Sequence, residues 1–293
     1  MIGLSAGYKG HVYRSADDRL DLYARIYDDC TDGIPILMMH GLTRNSADFE
    51  NIAEILQPDY RLIVADQRGR GLSEYDTSPA NYTPQIYAQD MFALLKSLNV
   101  ERTILLGTSM GGIIAMLMAA MYPEKIYSLI LNDVGPEVSP AGIERLQQYV
   151  GKKVDVANWS DAAEYCKQIN ACSLPDYGDK DWLNFARRTF IARKNGIPTL
   201  AHDPAIAEGL AGEKPSATPA DLWPMWNLLS GIPTLSIRGA TSDILSPETV
   251  TKMADRHRAL FSQVVVPSRG HAPMLDELAA VEAIKEFLER NEP

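Results

Sequence analysis

Residues Leu105–Met116 read LLGTSMGGIIAM and place one serine between two glycines, at the junction of two apolar runs. The five residues from Gly107 to Gly111 match the pattern G-x-S-x-G. Small residues two positions before and after the serine let a strand turn sharply into a helix, so that the hydroxyl protrudes. The preceding TILL and the following IIAMLMAAMY supply the strand and the helix that the pattern requires. The stretch therefore predicts Ser109 as a nucleophile.

On both sides of this stretch, short β-branched runs alternate with longer helical patterns over much of the chain. The alternation occupies residues 1–135 and resumes over residues 233–293. It predicts an α/β fold in which a mostly parallel sheet is covered by helices on both faces. Residues 136–232 lose the strand pattern and are rich in aromatic side chains. We interpret them as a helical cap inserted into the core domain.

Charge and cysteine content narrow the classes of partner and compartment. Asp and Glu number 38 against 28 Lys and Arg, for a net charge of -10, and no basic stripe is present. This balance argues against nucleic acid and membrane surfaces as partners. The three cysteines have neither metal-ligand spacing nor an even count for disulfides. With no secretion signal or long apolar run in the sequence, we expect a cytoplasmic protein.

A serine hydroxyl attacks a carbonyl only if a base accepts its proton. His271 follows the last predicted strand, SQVVV, where a loop can carry the imidazole over the carboxyl edge of the sheet. It is our candidate base. His40 belongs to the loop after the third predicted strand and is expected only to shape that loop. The other three histidines lie in polar or charged surroundings and are predicted to be solvated: His11, His202 and His257.

A carboxylate is needed to hold the tautomer of the base and to stabilise its cation. Asp243 lies in the loop after the next-to-last predicted strand, which gives the chain order Ser109, Asp243, His271 typical of G-x-S-x-G hydrolases. Asp133 directly follows the preceding strand in LILNDVGP and is the alternative, although an aspartate there also suits a turn. We predict Asp243 as the acid and retain Asp133 as the second candidate.

Backbone N–H groups must bind the oxyanion that forms during acyl transfer. Met110 follows the nucleophile at a helix N-terminus, and Leu42 lies in the loop after the third strand, so their amides are the predicted donors. Arg44, just beyond this loop, is a candidate for the polar end of a substrate. The turn DQRGRGLS, residues 66–73, is assigned a structural role in which Asp66 and Arg68 hold a tight loop together.

The motifs HGLTRN, DQRGRGLS, GTSMGG, GATSD and GHAPMLDE occur in the order and spacing of the α/β-hydrolase fold family, which this chain resembles outside the inserted region. The resemblance implies an eight-stranded, mostly parallel sheet with a helical cap after the sixth strand. It also implies a catalytic triad of Ser109, Asp243 and His271, with an oxyanion hole at Leu42 and Met110. Haloalkane dehalogenases and soluble epoxide hydrolases look similar but carry aspartate at the elbow, and Ser109 argues against their chemistry.

The predicted function is hydrolysis of a small or medium, largely apolar carboxylic ester or lactone through an acyl-serine. No metal or organic cofactor is expected, and the partner is a small molecule, with a homodimer left open. Two alternatives stay open: a carbon–carbon bond hydrolase of ring-fission products, although Ala272 and Pro273 follow His271 where those enzymes commonly have tryptophan, and a small-molecule receptor of the same fold. Three cap aromatics are candidates for the substrate pocket or for packing of the cap: Trp159, Trp182 and Trp223.

Overall fold

The computed structural model describes residues 7–30, 33–192, 196–210 and 221–291. Ten strands lie within these ranges, eight of them in one sheet. The strands are β1 Lys9–Arg14, β2 Asp21–Tyr27, β3 Ile36–Met39, β4 Leu62–Asp66, β5 Thr103–Thr108, β6 Ile126–Asn132, β7 Phe190–Ala192, β8 Pro198–Leu200, β9 Thr234–Gly239 and β10 Phe261–Val266. The α-helices are α1 Glu50–Leu56, α2 Pro84–Ser97, α3 Met110–Met121, α4 Pro140–Gln147, α5 Trp159–Asn170, α6 Asp179–Thr189, α7 Trp223–Leu228, α8 Pro247–Asp255 and α9 Leu278–Arg290.

The large sheet has the strand order β1-β2-β4-β3-β5-β6-β9-β10. The pairs β1–β2 and β2–β4 are antiparallel, and all other neighbours are parallel. Strands β3 and β4 are buried along their whole length, as expected for parallel strands covered on both faces. The prediction of an eight-stranded, mostly parallel sheet is therefore confirmed.

Two apolar layers sandwich the sheet. One contains side chains of α2, α3, α7 and α8, and the other contains those of α1 and α9. Local sequence signals set the helix boundaries: the Thr83 side chain accepts a hydrogen bond from the Ile86 amide, and Pro84 occupies the first turn of α2. Among the described residues, every helix is too short or too polar to cross a bilayer.

The inserted region has a small core of its own. Helices α5 and α6 pack together around Cys166, Trp182 and Phe185, and the hairpin β7–β8 continues from α6. The prediction of a helical cap did not include this hairpin, which consists of two three-residue strands. Helix α7 packs on α3, and Trp226 is fully buried in the main core, so this last part of residues 136–232 belongs physically to the core side. Residues 193–195 and 211–220 of the insertion lie outside the described residues.

Candidate active site

Ser109 occupies a strained turn between β5 and α3. Its φ is 54°, in the left-handed region that side chains other than glycine rarely adopt. The turn is held because the Ser109 N–H donates to the carbonyl of Asn132 at 2.9 Å. A Cβ at Gly107 would lie 2.3 Å from the Gly111 backbone, and one at Gly111 would lie 2.0 Å from the Met39 oxygen. Both glycines of the motif are therefore required by space.

The serine lies at one end of a chain of hydrogen bonds. Its hydroxyl is 2.8 Å from Nε2 of His271, and Nδ1 of the same imidazole is 2.8 Å from Oδ2 of Asp133. The carboxylate can only accept, so Nδ1 carries the proton and Nε2 is free to accept the serine proton. The structure thus brings the predicted nucleophile and base together, with Asp133 as the third member.

Asp133 is fully buried and held by three further contacts. Its own N–H donates to the carbonyl of Ile237, Oδ1 accepts from the Gly239 N–H at 2.8 Å, and Oδ2 accepts from the Ser242 hydroxyl at 2.6 Å. Its φ of 57° turns the side chain away from the continuation of β6. These hydrogen-bond donors replace water around the buried carboxylate and keep it in a fixed orientation.

The prediction that Asp243 orients the base is wrong in this geometry. Asp243 points instead at Arg145 of α4, with Nε–Oδ2 and Nη2–Oδ1 distances of 2.5 and 3.0 Å. Partial burial opposes ionisation, but the Arg145 guanidinium holds the pKa of Asp243 below its ordinary value. In the loop after β9 it is Ser242 that reaches the active site, so this loop supports the acid and does not supply it.

The predicted oxyanion donors both border the space in front of Ser109. Met110 is the first residue of α3, so its N–H has no carbonyl partner within the helix and lies at the positive end of the helix dipole. Leu42 lines the cavities on both sides of the serine. His40 fixes this loop because its Nδ1 donates to the Gly41 carbonyl at 2.7 Å, while Nε2 accepts from the Gln67 N–H at 3.1 Å.

His40 is locked in this neutral tautomer. Burial lowers the pKa of its imidazole to about 3, against the opposing effect of the bond to Gly41. The peptide whose oxygen accepts this bond carries the Leu42 N–H on its other side, so the imidazole also fixes the direction of that donor. The prediction that His40 shapes the loop agrees with this arrangement.

The turn over residues 66–73 also has the structural role assigned to it. Buried Asp66 accepts hydrogen bonds from the amides of Ser46 and Leu72 at 2.6 and 2.9 Å. Buried Arg68 forms ion pairs with Asp76 and Asp90 at 2.6 and 2.7 Å. These contacts tie the turn to α2 and to the oxyanion loop.

Two cavities meet at Ser109. The first, which we term the cap cavity, lies under α5 and α6 and includes Ser109, His271 and several polar side chains. The second, which we term the apolar cavity, lies between the start of α2, the start of α3 and α4, and also reaches Ser109. The cap cavity contains these polar groups: Arg44, Asp48, Asn170, Ser173, Thr189 and His202. The apolar cavity contains these aliphatic side chains: Ile113, Val134, Val138, Ile143, Ile206 and Ile244.

Arg44 lies in the wall of the cap cavity, as predicted for a residue near the substrate. Its guanidinium forms an ion pair with Asp48, donates to the Thr189 hydroxyl and lies 4.1 Å from the centre of the Phe185 ring. His202 lies in the same wall and is only 6% exposed, so the prediction that it is solvated is wrong. Burial, with the nearby charges of Arg70 and Arg44, lowers the pKa of His202 to about 4.

The three tryptophans proposed for the pocket lie elsewhere. Trp182 is buried in the cap core and donates its Nε1–H to the Tyr177 carbonyl, and Trp159 packs against the same core. Trp223 packs under the Arg256 guanidinium, at 4.3 Å, and donates to Glu137. These side chains stabilise the cap and its junction with the core, and the rings that line the cap cavity are Phe49, Tyr149, Tyr165 and Phe185.

Sequence reasoning missed two further residues at the site. Ser242 supports the acid, and buried Arg70 donates from Nε to the Leu42 carbonyl at 2.9 Å. Both follow predicted strands, but a serine or an arginine in such a loop is common, and its neighbours depend on the fold of the loop. Both residues lie within the motifs DQRGRGLS and GATSD, but these motifs do not indicate what either side chain contacts.

Comparison with known proteins finds one family model and several hydrolases that are similar to this chain. The family model of the alpha/beta hydrolase fold matches residues 34–278. This chain is 35% identical to the 3-hydroxybutyrate-oligomer hydrolase of Cupriavidus necator over 257 residues, which are 86% of this chain and 87% of that protein. It is also 29% identical to the 2-(acetamidomethylene)succinate hydrolase of Mesorhizobium japonicum, covering 80% of this chain and 81% of that protein.

A solved structure gives the same answer for the fold. An alpha/beta hydrolase from Novosphingobium aromaticivorans is 41% identical, with a TM-score of 0.91 over 98% of this chain and 100% of that one. The agreement extends through the inserted region, since almost the whole of both chains is covered.

Proposed function

Because this chain belongs to the alpha/beta hydrolase fold family and its named relatives are hydrolases, we propose that it is a serine hydrolase that cleaves carboxylic esters or lactones through an acyl-serine intermediate. The observation that carries the proposal is the relay from Ser109 through His271 to Asp133, with two hydrogen bonds of 2.8 Å. These groups supply a nucleophile, a base and an orienting carboxylate, which together perform acyl transfer on several unrelated folds.

Acylation follows from the direction of these hydrogen bonds. Nε2 of His271 accepts the Ser109 proton while Oγ attacks the ester carbonyl carbon, and Asp133 stabilises the imidazolium. The carbonyl oxygen becomes an oxyanion that accepts hydrogen bonds from the amides of Leu42 and Met110. When the intermediate collapses, the bond to the leaving oxygen breaks and that oxygen takes the proton from Nε2. The alcohol departs and the acyl group remains on Oγ.

Deacylation uses the same groups in reverse. A water molecule takes the place of the alcohol, and His271 accepts its proton as its oxygen attacks the acyl carbon. Collapse returns the proton to Oγ of Ser109 and releases the carboxylic acid. The cycle restores the enzyme and requires only water as co-substrate.

The bond cleaved is assigned to the ester class for three reasons. The elbow carries serine, which forms an acyl-enzyme, and the relative from Cupriavidus necator is named for 3-hydroxybutyrate oligomers, whose units are joined by ester bonds. The residues after His271 also favour esters, because Ala272 and Pro273 stand where ring-fission hydrolases commonly have tryptophan.

The test is steady-state and stopped-flow hydrolysis of a panel of p-nitrophenyl esters and lactones of increasing acyl size. Wild-type protein is compared with Ser109→Ala, and Ser128→Ala is the matched control because Ser128 is a fully buried serine of β6 away from the relay. A ring-fission dienoate is included as a parallel substrate.

We expect ester turnover that Ser109→Ala abolishes and Ser128→Ala leaves intact. Turnover of the dienoate without hydrolysis of any ester would assign the protein to carbon–carbon hydrolysis instead. Ester turnover that persists in Ser109→Ala would also overturn the proposal, because the nucleophile would then be a different group.

A further inference from the structure

The two cavities at Ser109 differ in chemistry and in their relation to the base. The apolar cavity is formed almost entirely by aliphatic side chains and two tyrosine rings, and it includes Met110 and Ile113 of α3. The cap cavity includes the His271 imidazole and donor groups of Arg44 and Asn170. Ser109 and Leu42 border both cavities, so an ester bound at the serine has one half on each side.

The position of His271 decides which half enters which cavity. The leaving oxygen must accept the proton that Nε2 of His271 carries, so the leaving group departs on the side where that imidazole lies. His271 lines the cap cavity and is absent from the wall of the apolar cavity. The acyl group, bonded to Oγ of Ser109, is left with the other cavity.

We propose that the apolar cavity is the acyl site and the cap cavity is the alcohol site, so that the substrate is an ester of an aliphatic acid with a polar, acceptor-rich alcohol such as a hydroxy acid. This inference rests on the proposed ester hydrolysis and assigns a substrate class to it. The aliphatic wall favours an acyl chain without polar groups. Arg44 is paired with Asp48, and the Asn170 amide donates one N–H to the Cys166 carbonyl, but each side chain keeps a further N–H for an acceptor oxygen on the leaving group.

Two half-buried side chains allow each cavity to be filled separately. Of the two cavities at Ser109, Val138 borders the apolar cavity and Ile169, on α5, borders the cap cavity. Because both are partly exposed, a larger ring at either position has room to adjust without rebuilding the core. Val138→Phe and Ile169→Phe therefore form a matched pair, each serving as the control for the other.

The experiment varies the two halves of the substrate independently. One series keeps the alcohol constant and lengthens the acyl chain from acetyl to octanoyl. A second series keeps butanoyl constant and compares 3-hydroxybutyrate with n-butanol as the leaving group. Rapid mixing then measures deacylation of the common butanoyl-enzyme.

We expect Val138→Phe to lower kcat/KM for long acyl chains roughly tenfold or more, to change deacylation and to leave the leaving-group preference unchanged. Ile169→Phe should change the leaving-group preference and leave deacylation of the butanoyl-enzyme at the wild-type rate. Wild type should prefer the hydroxy-acid ester. The reverse pattern, in which Ile169→Phe shortens the accepted acyl chain, would overturn the assignment while ester hydrolysis itself stood.

We draw a second inference from Arg70, a buried arginine behind Leu42 and Met110. Its side chain is fully buried, yet within the described parts of the chain no carboxylate lies within ion-pair distance of it. Neighbouring Arg68 has three such partners, Asp17, Asp76 and Asp90. The contacts of Arg70 are neutral: the carbonyls of Leu42 and Arg68 at 2.9 and 2.8 Å, the Tyr87 hydroxyl at 2.8 Å, and the rings of Tyr82 and Tyr87. A buried cation without a counter-charge is costly to the fold.

The two other features of Arg70 place this charge behind the oxyanion hole. Its Nη2 lies 3.9 Å from Sδ of Met110, and its Nε holds the Leu42 carbonyl. These are the two residues whose amides we assign to the oxyanion. The geometry points to Arg70 as a positioning residue that fixes both walls of the hole and leaves one positive charge uncompensated until the oxyanion forms. This inference also rests on the proposed acyl transfer.

The test compares Arg70→Met, which removes the charge, with Arg70→Lys, which keeps it. Arg25→Met is the control for loss of a largely buried arginine, since Arg25 pairs with Glu50 and the Tyr8 ring on another part of the sheet. We expect Arg70→Met to lower kcat roughly 10- to 100-fold with little change in KM, and Arg70→Lys to recover much of the loss.

A trifluoromethyl ketone, whose adduct with Ser109 carries the oxyanion, separates this role from a merely structural one. Its inhibition constant should rise in Arg70→Met in proportion to the loss of kcat/KM and stay unchanged in Arg25→Met. Wild-type kcat in folded Arg70→Met, or unchanged affinity for the ketone, would overturn the inference. If Arg70→Met does not fold, the change in inhibition constant is compared with the change in kcat/KM for Arg70→Lys instead.

Discussion

Asp133 holds the imidazole of His271 from the turn that follows β6, with 2.8 Å between Oδ2 and Nδ1. Strands β6 and β9 are neighbours in the sheet, so the loops after both strands meet at the Asp133 carboxylate. The loop after β9 contributes the Ser242 hydroxyl, which donates to the carboxylate oxygen that also faces His271. The carboxylate that contacts His271 thus follows a strand one position closer to β5 in the sheet than the predicted Asp243 does.

Asp133→Asn is expected to lower kcat by roughly 10³- to 10⁴-fold, because an amide at this place no longer fixes the tautomer or stabilises the imidazolium. The measurement is kcat for the best ester of the panel. The burst of acylation should be lost together with steady-state turnover.

Asp243→Asn is the matched control, since this aspartate follows the neighbouring strand and is paired with Arg145. We expect kcat within a few-fold of wild type. If Asp243→Asn lost kcat by this factor and Asp133→Asn kept the wild-type value, the assignment of the acid would be reversed.

The difference between the two aspartates shows where sequence reasoning stops. The spacing of Gly107, Ser109 and Gly111 predicts a strand-turn-helix, and the place of His271 after the last strand identifies it as the base candidate. The choice of acid depends on which way a short loop turns after β9. That direction is set by tertiary contacts such as Arg145–Asp243, which join residues 98 positions apart.

The stability of the protein should fall as the pH is lowered through the range from about 6.5 to about 4, in part because of His202. Its folded-state pKa is lowered, so in this range the unfolded chain binds a proton that the folded protein does not. The contribution is fully present above pH 6.5 and is lost towards pH 4. At pH 5 the loss amounts to about 2 kcal/mol.

His202→Asn removes this titration while keeping a polar side chain. Urea unfolding of wild type and variant at pH 7 and pH 5 gives the free energy of unfolding for each. The decrease between the two pH values should be smaller in the variant by about 2 kcal/mol. Equal decreases would mean that His202 titrates normally in the folded protein.

Gly111→Ala should destabilise the fold by about 3 kcal/mol or more, since the added methyl would lie 2.0 Å from the Met39 oxygen at the most crowded point of the elbow. Gly231→Ala is the control, because nothing lies within 4 Å of a Cβ at that position. Thermal melting of both variants measures the contrast. A Gly111→Ala protein as stable as Gly231→Ala would show that the elbow is not tightly packed.

The three cap tryptophans illustrate a second limit of the sequence. Trp159 and Trp182 lie on helices whose apolar sides meet each other, and the spacing of apolar residues marks such a side without naming its partner. Each ring could have faced a substrate or another helix. The family motifs lie outside the insertion, so they predicted the catalytic edge of the sheet and not the wall of the pocket.

In the proposed mechanism, Ser109 becomes acylated during turnover. The most direct measurement is rapid quenching of wild-type protein with a slowly deacylating ester, followed by intact mass and peptide mapping. We predict one acyl group per chain, located on Ser109, appearing at the rate of the burst and decaying at the steady-state rate. Turnover with no acyl group on Ser109 at any time would rule out this mechanism.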